Sequence, residues 1–362
     1  MSMNSISSIR MSMNEPYVED SLWKKTGKHY RRSMSMSGHR SRNTTMTELG
    51  ALLKEARERA WQRHGKEVTF YIPGMICYEG EYGRYPALSI TGSDCALRCK
   101  HCSGKLLGPM IKASTPEELI EQCLRLAKRS IGVLITGGCL SDGRLPWSGF
   151  ISTIEKVKVK TDLFISIHTG IIDRRTAKGL VQAGVDQFLI DIIGDNRTLK
   201  DIYKVDFGIE RIEQSLEALK KAGAEIIPHI VIGLYYGEIH GEYEAIEMVK
   251  MSGARHLVFV SFMPLPGTEL FHCKPPEPEE IARIIATARL RMPDAIISLG
   301  CARERGNHKI DLFALDAGVN RITIPSYRVI ERAMIYGLKT SWQKTCCSVP
   351  VRRGWRWRVL DI

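Results

Sequence analysis

The stretch Ala87-Leu88-Ser89-Ile90-Thr91-Gly92-Ser93-Asp94-Cys95-Ala96-Leu97-Arg98-Cys99-Lys100-His101-Cys102 joins a short apolar run to three cysteines spaced C-x3-C-x2-C. Residues 87–91 are short, apolar and partly β-branched, which predicts a strand. Gly92, Ser93 and Asp94 then break it. The cysteines therefore fall on a loop just past the carboxyl end of a strand.

The same grammar repeats outward from there. Apolar, β-branched runs at 132–136, 163–168, 187–192, 225–232, 256–262, 295–299 and 321–324 predict seven further strands. Helical patterns lie between them, at 115–128, 176–183, 210–222, 242–251 and 278–290. Strands separated by long crossovers make a parallel sheet, and eight in βα alternation predict an α/β fold of the (β/α)8 TIM-barrel type, full or nearly closed. A further helix is expected from Thr45 to about His64, where Gly65 ends it.

In such barrels the chemistry sits at the carboxyl ends of the strands. The residues found there are Cys95 to Cys102, then Gly137-Gly138-Cys139, then His168-Thr169-Gly170. Asp191 and Asp195, Gly233, the segment Pro264-Leu265-Pro266-Gly267-Thr268, and Cys301 follow the later strands.

Three thiolates within eight residues do not close a tetrahedral zinc site, which wants four ligands. They also fall one short of the four cysteines an iron–sulfur cube normally takes. A zinc site completed from elsewhere in the chain is the competing account. An iron left open is where a cosubstrate binds.

This motif resembles that of the radical S-adenosylmethionine (SAM) superfamily. The resemblance implies a [4Fe–4S] cluster on Cys95, Cys99 and Cys102, with SAM on the open iron. Electron transfer then cleaves SAM to a 5′-deoxyadenosyl radical that abstracts hydrogen from an unactivated carbon.

Further positions match the family's SAM-binding pattern. Gly137 and Gly138 resemble the Gly-Gly segment that receives the methionyl amine; an acid usually follows, and here it is Cys139. Asp191 or Asp195 would hold the ribose hydroxyls. Ile230-Val231-Ile232-Gly233 resembles the adenine-side strand, with Ile232 as its contact. The segment at 264–268 resembles the biotin synthase-like branch. His168 is either an interior histidine or a residue that binds substrate or shuttles a proton.

Seven cysteines remain. Cys123, among Leu119, Ile120, Leu124 and Leu126, reads as core. Cys139, Cys301, Cys346 and Cys347 are hypothesised ligands of a second iron–sulfur cluster, against the alternative of unrelated structural thiols. Cys77 and Cys273 are assigned no role.

Biotin and lipoyl synthases are similar in having such an auxiliary cluster, whose sulfide a substrate radical attacks. The Gly-Gly-Cys segment, Ser298-Leu299-Gly300-Cys301-Ala302-Arg303-Glu304-Arg305-Gly306 and the Cys346-Cys347 pair resemble the split, two-protein lipoyl synthases. That resemblance implies an octanoyl chain on a lipoyl carrier protein, a second homologous radical SAM subunit, and ferredoxin or flavodoxin as electron donor. Without the second cluster, carbon-skeleton rearrangement or carbon–carbon ligation would take its place. A plain electron carrier would cap its cluster with four residues.

The chain has 362 residues and a formal charge of +12. Residues 1–43 hold eight Lys/Arg against three acids, and 349–362 hold four Arg against one Asp. The body, 44–348, is left near +4. The first 43 residues, Ser-, Met- and Arg-rich, bury too little apolar surface to fold and read as a disordered tail. Trp355-Arg356-Trp357-Arg358 could stack on bases, which raises an RNA-modifying enzyme as an alternative. No RNA-binding module of recognisable size is left outside the barrel, so nucleic acid is disfavoured. No apolar run reaches membrane-spanning length, and ten cysteines without a secretory signal point to a reducing cytoplasm.

Overall fold

The structure, a computed structural model, describes residues 38–351 and the pair 356–357. Residues 1–37 of the tail expected at 1–43, and residues 352–355 and 358–362 of the Trp/Arg segment, lie outside the described residues, while 38–43 open a helix. Among the described residues no helix is long and apolar enough to cross a membrane.

Ten strands carry the architecture: β1 (Glu67–Tyr71), β2 (Ala87–Ser89), β3 (Gly132–Thr136), β4 (Phe164–His168), β5 (Gln187–Asp191), β6 (Ile226–Ile232), β7 (His256–Ser261), β8 (Ile296–Leu299), β9 (Arg321–Thr323) and β10 (Lys339–Gln343). Their order in the sheet is β10-β1-β9-β8-β7-β6-β5-β4-β3-β2, and every pairing among them is parallel. Two-residue strands extend each edge, Ile111–Lys112 beside β2 and the antiparallel Arg356–Trp357 beside β10.

Among the described residues, nine helices of nine residues or more complete the βα alternation: α1 (Gly38–His64), α2 (Pro116–Ala127), α3 (Ile151–Lys160), α4 (Arg174–Gln182), α5 (Glu210–Ala222), α6 (Glu242–Ser252), α7 (Pro278–Arg291), α8 (His308–Asp316) and α9 (Tyr327–Ile335). Local chemistry sets several ends. Thr115 accepts the Glu118 amide to cap α2, and Asp173 accepts the Thr176 amide to cap α4. Gly223, left-handed at φ 74°, ends α5.

All eight expected strands are present. Sequence reading missed β1 and β10, the two strands at the edge beyond β9, and the helices α3, α8 and α9. The helix expected after Thr45 starts at Gly38, since polar residues can extend a helix already nucleated downstream.

The expected closure of the barrel is also modified: among the described residues no strand pairing joins β10, the outer strand beyond β1, to β2. After β10 the chain instead crosses between those edges. Ile72 donates to Gln343 O (2.9 Å) and Arg84 donates to Lys344 O (2.6 Å). Val349 then packs on Tyr85 and Phe164. A peptide segment occupies the place of a strand pairing.

The main core lies between sheet and helices, for example Leu119, Cys123, Ile154, Leu180, Ile246 and Ile285. Cys123 is fully buried there, as expected. A second cluster, Tyr71, Leu189, Ile227, Val258 and Cys347, comes from the alternate strand faces. At the amino ends of β8 and β9, the fully buried Arg289 donates to Pro293 O, Ala295 O, Gly318 O and Asn320 Oδ1. That end is built for stability, and the carboxyl ends are left for chemistry.

Candidate functional site

The cysteine loop winds tightly because its backbone bonds to itself. Cys102 N and Ser103 N both donate to Cys99 O (3.2 and 2.8 Å), and Lys105 N donates to Cys102 O (2.8 Å). Arg98 and Ser103 take positive φ of 45° and 48°, a cost the surrounding contacts offset. Two outside bonds fix the loop: Ala96 N to Cys139 O (2.8 Å) and Lys100 N to Ile202 O (2.9 Å).

Gly137 and Gly138 pack against the same loop. A Cβ on Gly138 would lie 1.9 Å from Asp94 O and 2.6 Å from Cys95 Cα, so only glycine fits. The Gly138 amide donates to Thr91 Oγ1 (2.7 Å), which in turn donates to Asp94 O (2.9 Å). The segment at 264–268 also reaches the loop, since a Cβ on Gly267 would meet Lys105 Nζ at 2.9 Å.

A cavity of about 290 Å³ opens here. Cys95, Cys99, Cys102, Gly137, Gly138, Cys139, His168 and Asp191 all line it, so most of the expected site residues share one space. Leu97, Leu107, Leu145, Ile171 and Phe207 make much of its wall apolar.

The thiols are not equivalent. A hydrogen bond with Cys99 draws the Cys102 thiol down to about 4, helped by His101 and the Gly104 amide, and pushes Cys99 up. Burial, then the charges of Cys95 and Asp191, push Cys139 up to about 12.

His168 Nε2 lies 3.5 Å from Asp191 Oδ1. Burial opposes the charge on each, but the pairing wins: His168 is raised and Asp191 lowered. They keep 27% and 38% of their side-chain surface, which faces the cavity they line. His229, with its ring 5.7 Å from that of His168, is lowered to about 4 by burial and by the His168 charge. Sequence reading passed over His229; its place two residues past Ile227 on an inward face of β6 was the available signal.

Two expected positions lie outside this cavity. Asp195 accepts from Arg197 N, Thr198 N and Thr198 Oγ1, and His240 Nδ1 lies 2.8 Å from its Oδ2. It caps the turn Asn196–Thr198. The Ile232 side chain is fully buried in the main core and does not line the cavity.

The four cysteines expected to form a second group are divided. Cys139 stays with the first three, as shown above. Cys301, Cys346 and Cys347 lie within electrostatic reach of one another. The Cys347 thiol, the Ser348 amide and the Ser348 hydroxyl draw Cys346 down to about 6. Cys301 is raised by enclosure among its neighbours and by Cys346, although its residue surface stays exposed, while Arg305 and Arg303 oppose. Arg303 ties this loop down, with Nε to Asp311 Oδ1 (2.7 Å), Nη1 to Gly300 O (2.6 Å) and Nη2 to Ile324 O (3.0 Å).

Comparison with known proteins now bears on these cavities. Residues 89–251 match the Radical SAM superfamily, and residues 259–339 match the Biotin and Thiamin Synthesis associated domain. A biotin synthase of Neorickettsia sennetsu is 24% identical over 294 residues, covering 73% of this chain and 86% of that protein. One from Pelotomaculum thermopropionicum is 27% identical over 238 residues, covering 65% and 73%.

Among solved structures, methylornithine synthase (PylB) superposes with a TM-score of 0.58 at 18% identity, over 82% of this chain and 92% of its own. HydG, a maturase of the [FeFe]-hydrogenase, gives 0.60 at 12% identity over 81% and 68%. These likenesses are of fold. The cofactors of the matched superfamily are a [4Fe–4S] cluster and SAM. The cavity suits them: three thiols, one strongly acidified, border an apolar space. Among the described residues no three side chains gather tightly enough for a single metal ion. Ligands of a multi-iron cube stand further apart than those of one ion.

Proposed function

We propose that this chain, which belongs to the radical SAM superfamily in its biotin synthase-like branch, inserts sulfur into an unactivated C–H bond of an octanoyl chain on a lipoyl carrier protein. In this reading Cys95, Cys99 and Cys102 hold the [4Fe–4S] cluster, and Gly137 borders the SAM beside it. Bound there, the cluster supplies the electron that cleaves SAM to the 5′-deoxyadenosyl radical. Ferredoxin or flavodoxin is the proposed donor, in a reducing cytoplasm. The chain's own residues acidify Cys102, seal the loop with Gly138, and exclude water with an apolar wall.

The observation that carries sulfur insertion is the second thiol group. Cys301, Cys346 and Cys347 converge from distant parts of the sequence, with one thiol drawn down to about 6. Thiolate character is what a cluster ligand needs. These three are the proposed ligands of an auxiliary iron–sulfur cluster, the source of the sulfur. The apolar cavity wall supports an alkyl chain as acceptor. The relatives named biotin synthase favour one second reading, sulfur insertion into the biotin precursor.

The test is an anaerobic assay of reconstituted protein with SAM, reductant and an octanoylated carrier peptide, read by mass spectrometry. It is run with and without a second homologous radical SAM subunit, and in parallel with the biotin precursor. Sulfur added to the octanoyl peptide supports the reading. Sulfur added to the biotin precursor alone replaces it, and 5′-deoxyadenosine without sulfur transfer leaves only the branch assignment.

A further inference from the structure

A groove on the outside of the barrel begins where the cavity ends. It holds about 400 Å³ and runs between α4 and α5, beside the loop that follows β3. Ile171 lines both spaces. The sill between them is low because Gly143 stands there, left-handed at φ 81°. A Cβ on it would lie 3.0 Å from Ile171 Cγ1 and from Phe207 Cζ. Ile171 N donates to Gly143 O (2.9 Å), which ties the two sides of the sill together.

The groove carries more cations than its acids answer. Arg144, Arg174, Arg211 and Lys221 line it, against Asp173 and Glu217. Both acids are engaged: Asp173 caps α4 with its two oxygens on Thr176, and Glu217 takes Lys221 at 2.8 Å. Arg144 is held by Asp142 at 2.6 Å. Arg174 and Arg211 meet no carboxylate among the described residues. Arg174 opens α4 and Arg211 lies in the first turn of α5, so both stand at the barrel face that carries the cavity mouth. A helix N-terminus disfavours cations, so helix stability does not account for either arginine. The next groove round the barrel is the opposite. Between α5 and α6, a space of about 580 Å³ is bordered by Glu213, Glu217, Glu244 and Glu247 against Lys220 and Arg291, and none of its residues lines the cavity. One helix thus separates an acidic groove from a basic one, and the basic one reaches the mouth.

We propose that the groove between α4 and α5 docks an acidic surface of the carrier domain, so that the acylated side chain crosses the Gly143 sill into the cavity. Carboxylates beside the acylated lysine pair with Arg174 and Arg211, whose forked guanidinium groups take a carboxylate through two bonds each. Such pairing orients the partner and speeds its encounter more than it adds affinity. This rests on the reading of the cavity as the site of a carrier-bound acyl chain.

The test measures anaerobic binding of an acidic, octanoylated lipoyl carrier domain to the cluster-loaded enzyme with SAM bound. A neutral peptide carrying one octanoyl-lysine is measured alongside. The double variant Arg174→Glu/Arg211→Glu is expected to weaken the carrier domain about 30-fold, mainly through slower association, with the neutral peptide held within about 2-fold. Raising salt from about 50 to about 300 mM is expected to weaken the carrier domain about 10-fold on the unaltered enzyme and less than about 3-fold on the double variant. Lys220→Glu/Arg291→Glu makes the same change of net charge in the neighbouring groove, and is expected to leave carrier affinity within about 3-fold.

Carrier affinity that is absent, or unmoved by Arg174→Glu/Arg211→Glu, overturns the groove's role and leaves the acyl-chain reading standing where the neutral peptide binds. Failure of both peptide and carrier domain to bind sinks the acyl-chain reading and the proposal together. Equal weakening by the two double variants reduces the effect to net charge, and an equal loss of the neutral peptide moves the arginines into the acyl site; either result overturns the docking groove. A single-stranded RNA that binds more tightly than the carrier domain through the same two arginines assigns the groove to nucleic acid, and likewise overturns it.

Discussion

The loop at residues 95–102 and the segment at residues 344–349 both present thiols, and they hold them by opposite means. The loop is fixed largely by its own backbone: turns from Cys99 O to Cys102 N and Ser103 N set two of its thiols side by side. The segment has little of this. Side chains from distant strands hold its carbonyls instead. Arg321 Nη1 donates to the carbonyls of Cys347, Ser348 and Val349 (2.8, 3.2 and 3.1 Å), Gln187 Nε2 to Ser348 O (3.0 Å), and Tyr71 OH to Val349 O (3.1 Å). A self-bonded loop keeps its geometry when remote residues change. A segment gripped from outside does not.

The largest expected effect separates the two thiol groups by what each stops. Replacing Cys95, Cys99 or Cys102 with Ala is expected to lower 5′-deoxyadenosine release by at least about 1,000-fold, because removing a member of a unit that acts together removes nearly all of its effect. Cys346→Ala is expected to keep that release within about 5-fold while ending sulfur transfer. Chromatography of the nucleoside and mass spectrometry of the acceptor read the two outcomes. Loss of 5′-deoxyadenosine in Cys346→Ala would break the distinction.

The next effect is on stability. Gln343 and Thr345 bury polar side-chain atoms without partners among the described residues, so the segment starts at a disadvantage. Arg321 offsets this with three charge-assisted bonds. Arg321→Gln is expected to lower unfolding free energy by about 2–3 kcal/mol in urea titrations of the apoprotein. It is also expected to raise the reactivity of Cys346 and Cys347 toward a thiol reagent, with Cys102 unchanged. Equal exposure of all three would mean that the loop too depends on the barrel.

The same contrast explains what could be read from the sequence. Cys95, Cys99 and Cys102 were legible because their spacing is local, and the eight strands were legible because apolar periodicity is local too. Gly138 was singled out, but the approach of Asp94 O that requires a glycine there is something spacing cannot reveal. The split of Cys139 from Cys301, Cys346 and Cys347 depends on where a chain that passes between β1 and β2 turns inward, and no local pattern encodes that. That Asp195 caps the turn Asn196–Thr198 while Asp191 faces the cavity was not legible, because the two carboxylates look alike in sequence.

The smallest effect distinguishes the His168 imidazole, which lines the cavity, from the neighbouring His229 imidazole by the sign of their pH dependence. His168 is raised in the folded protein because Asp191 outweighs burial. Its contribution is fully present below the unfolded value of about 6.5 and is lost as pH rises through the folded value above it. His229 is lowered to about 4 by burial and by His168. Below about 6.5 the unfolded chain takes up a proton that the folded chain refuses, so stability falls as pH drops toward 4. Urea unfolding across pH 4 to 9 should therefore lose stability at both ends from these residues. His229→Phe is expected to flatten the acid limb, and His168→Gln the limb above 6.5. If His168→Gln flattens the acid limb instead, the imidazolium has been assigned to the wrong ring.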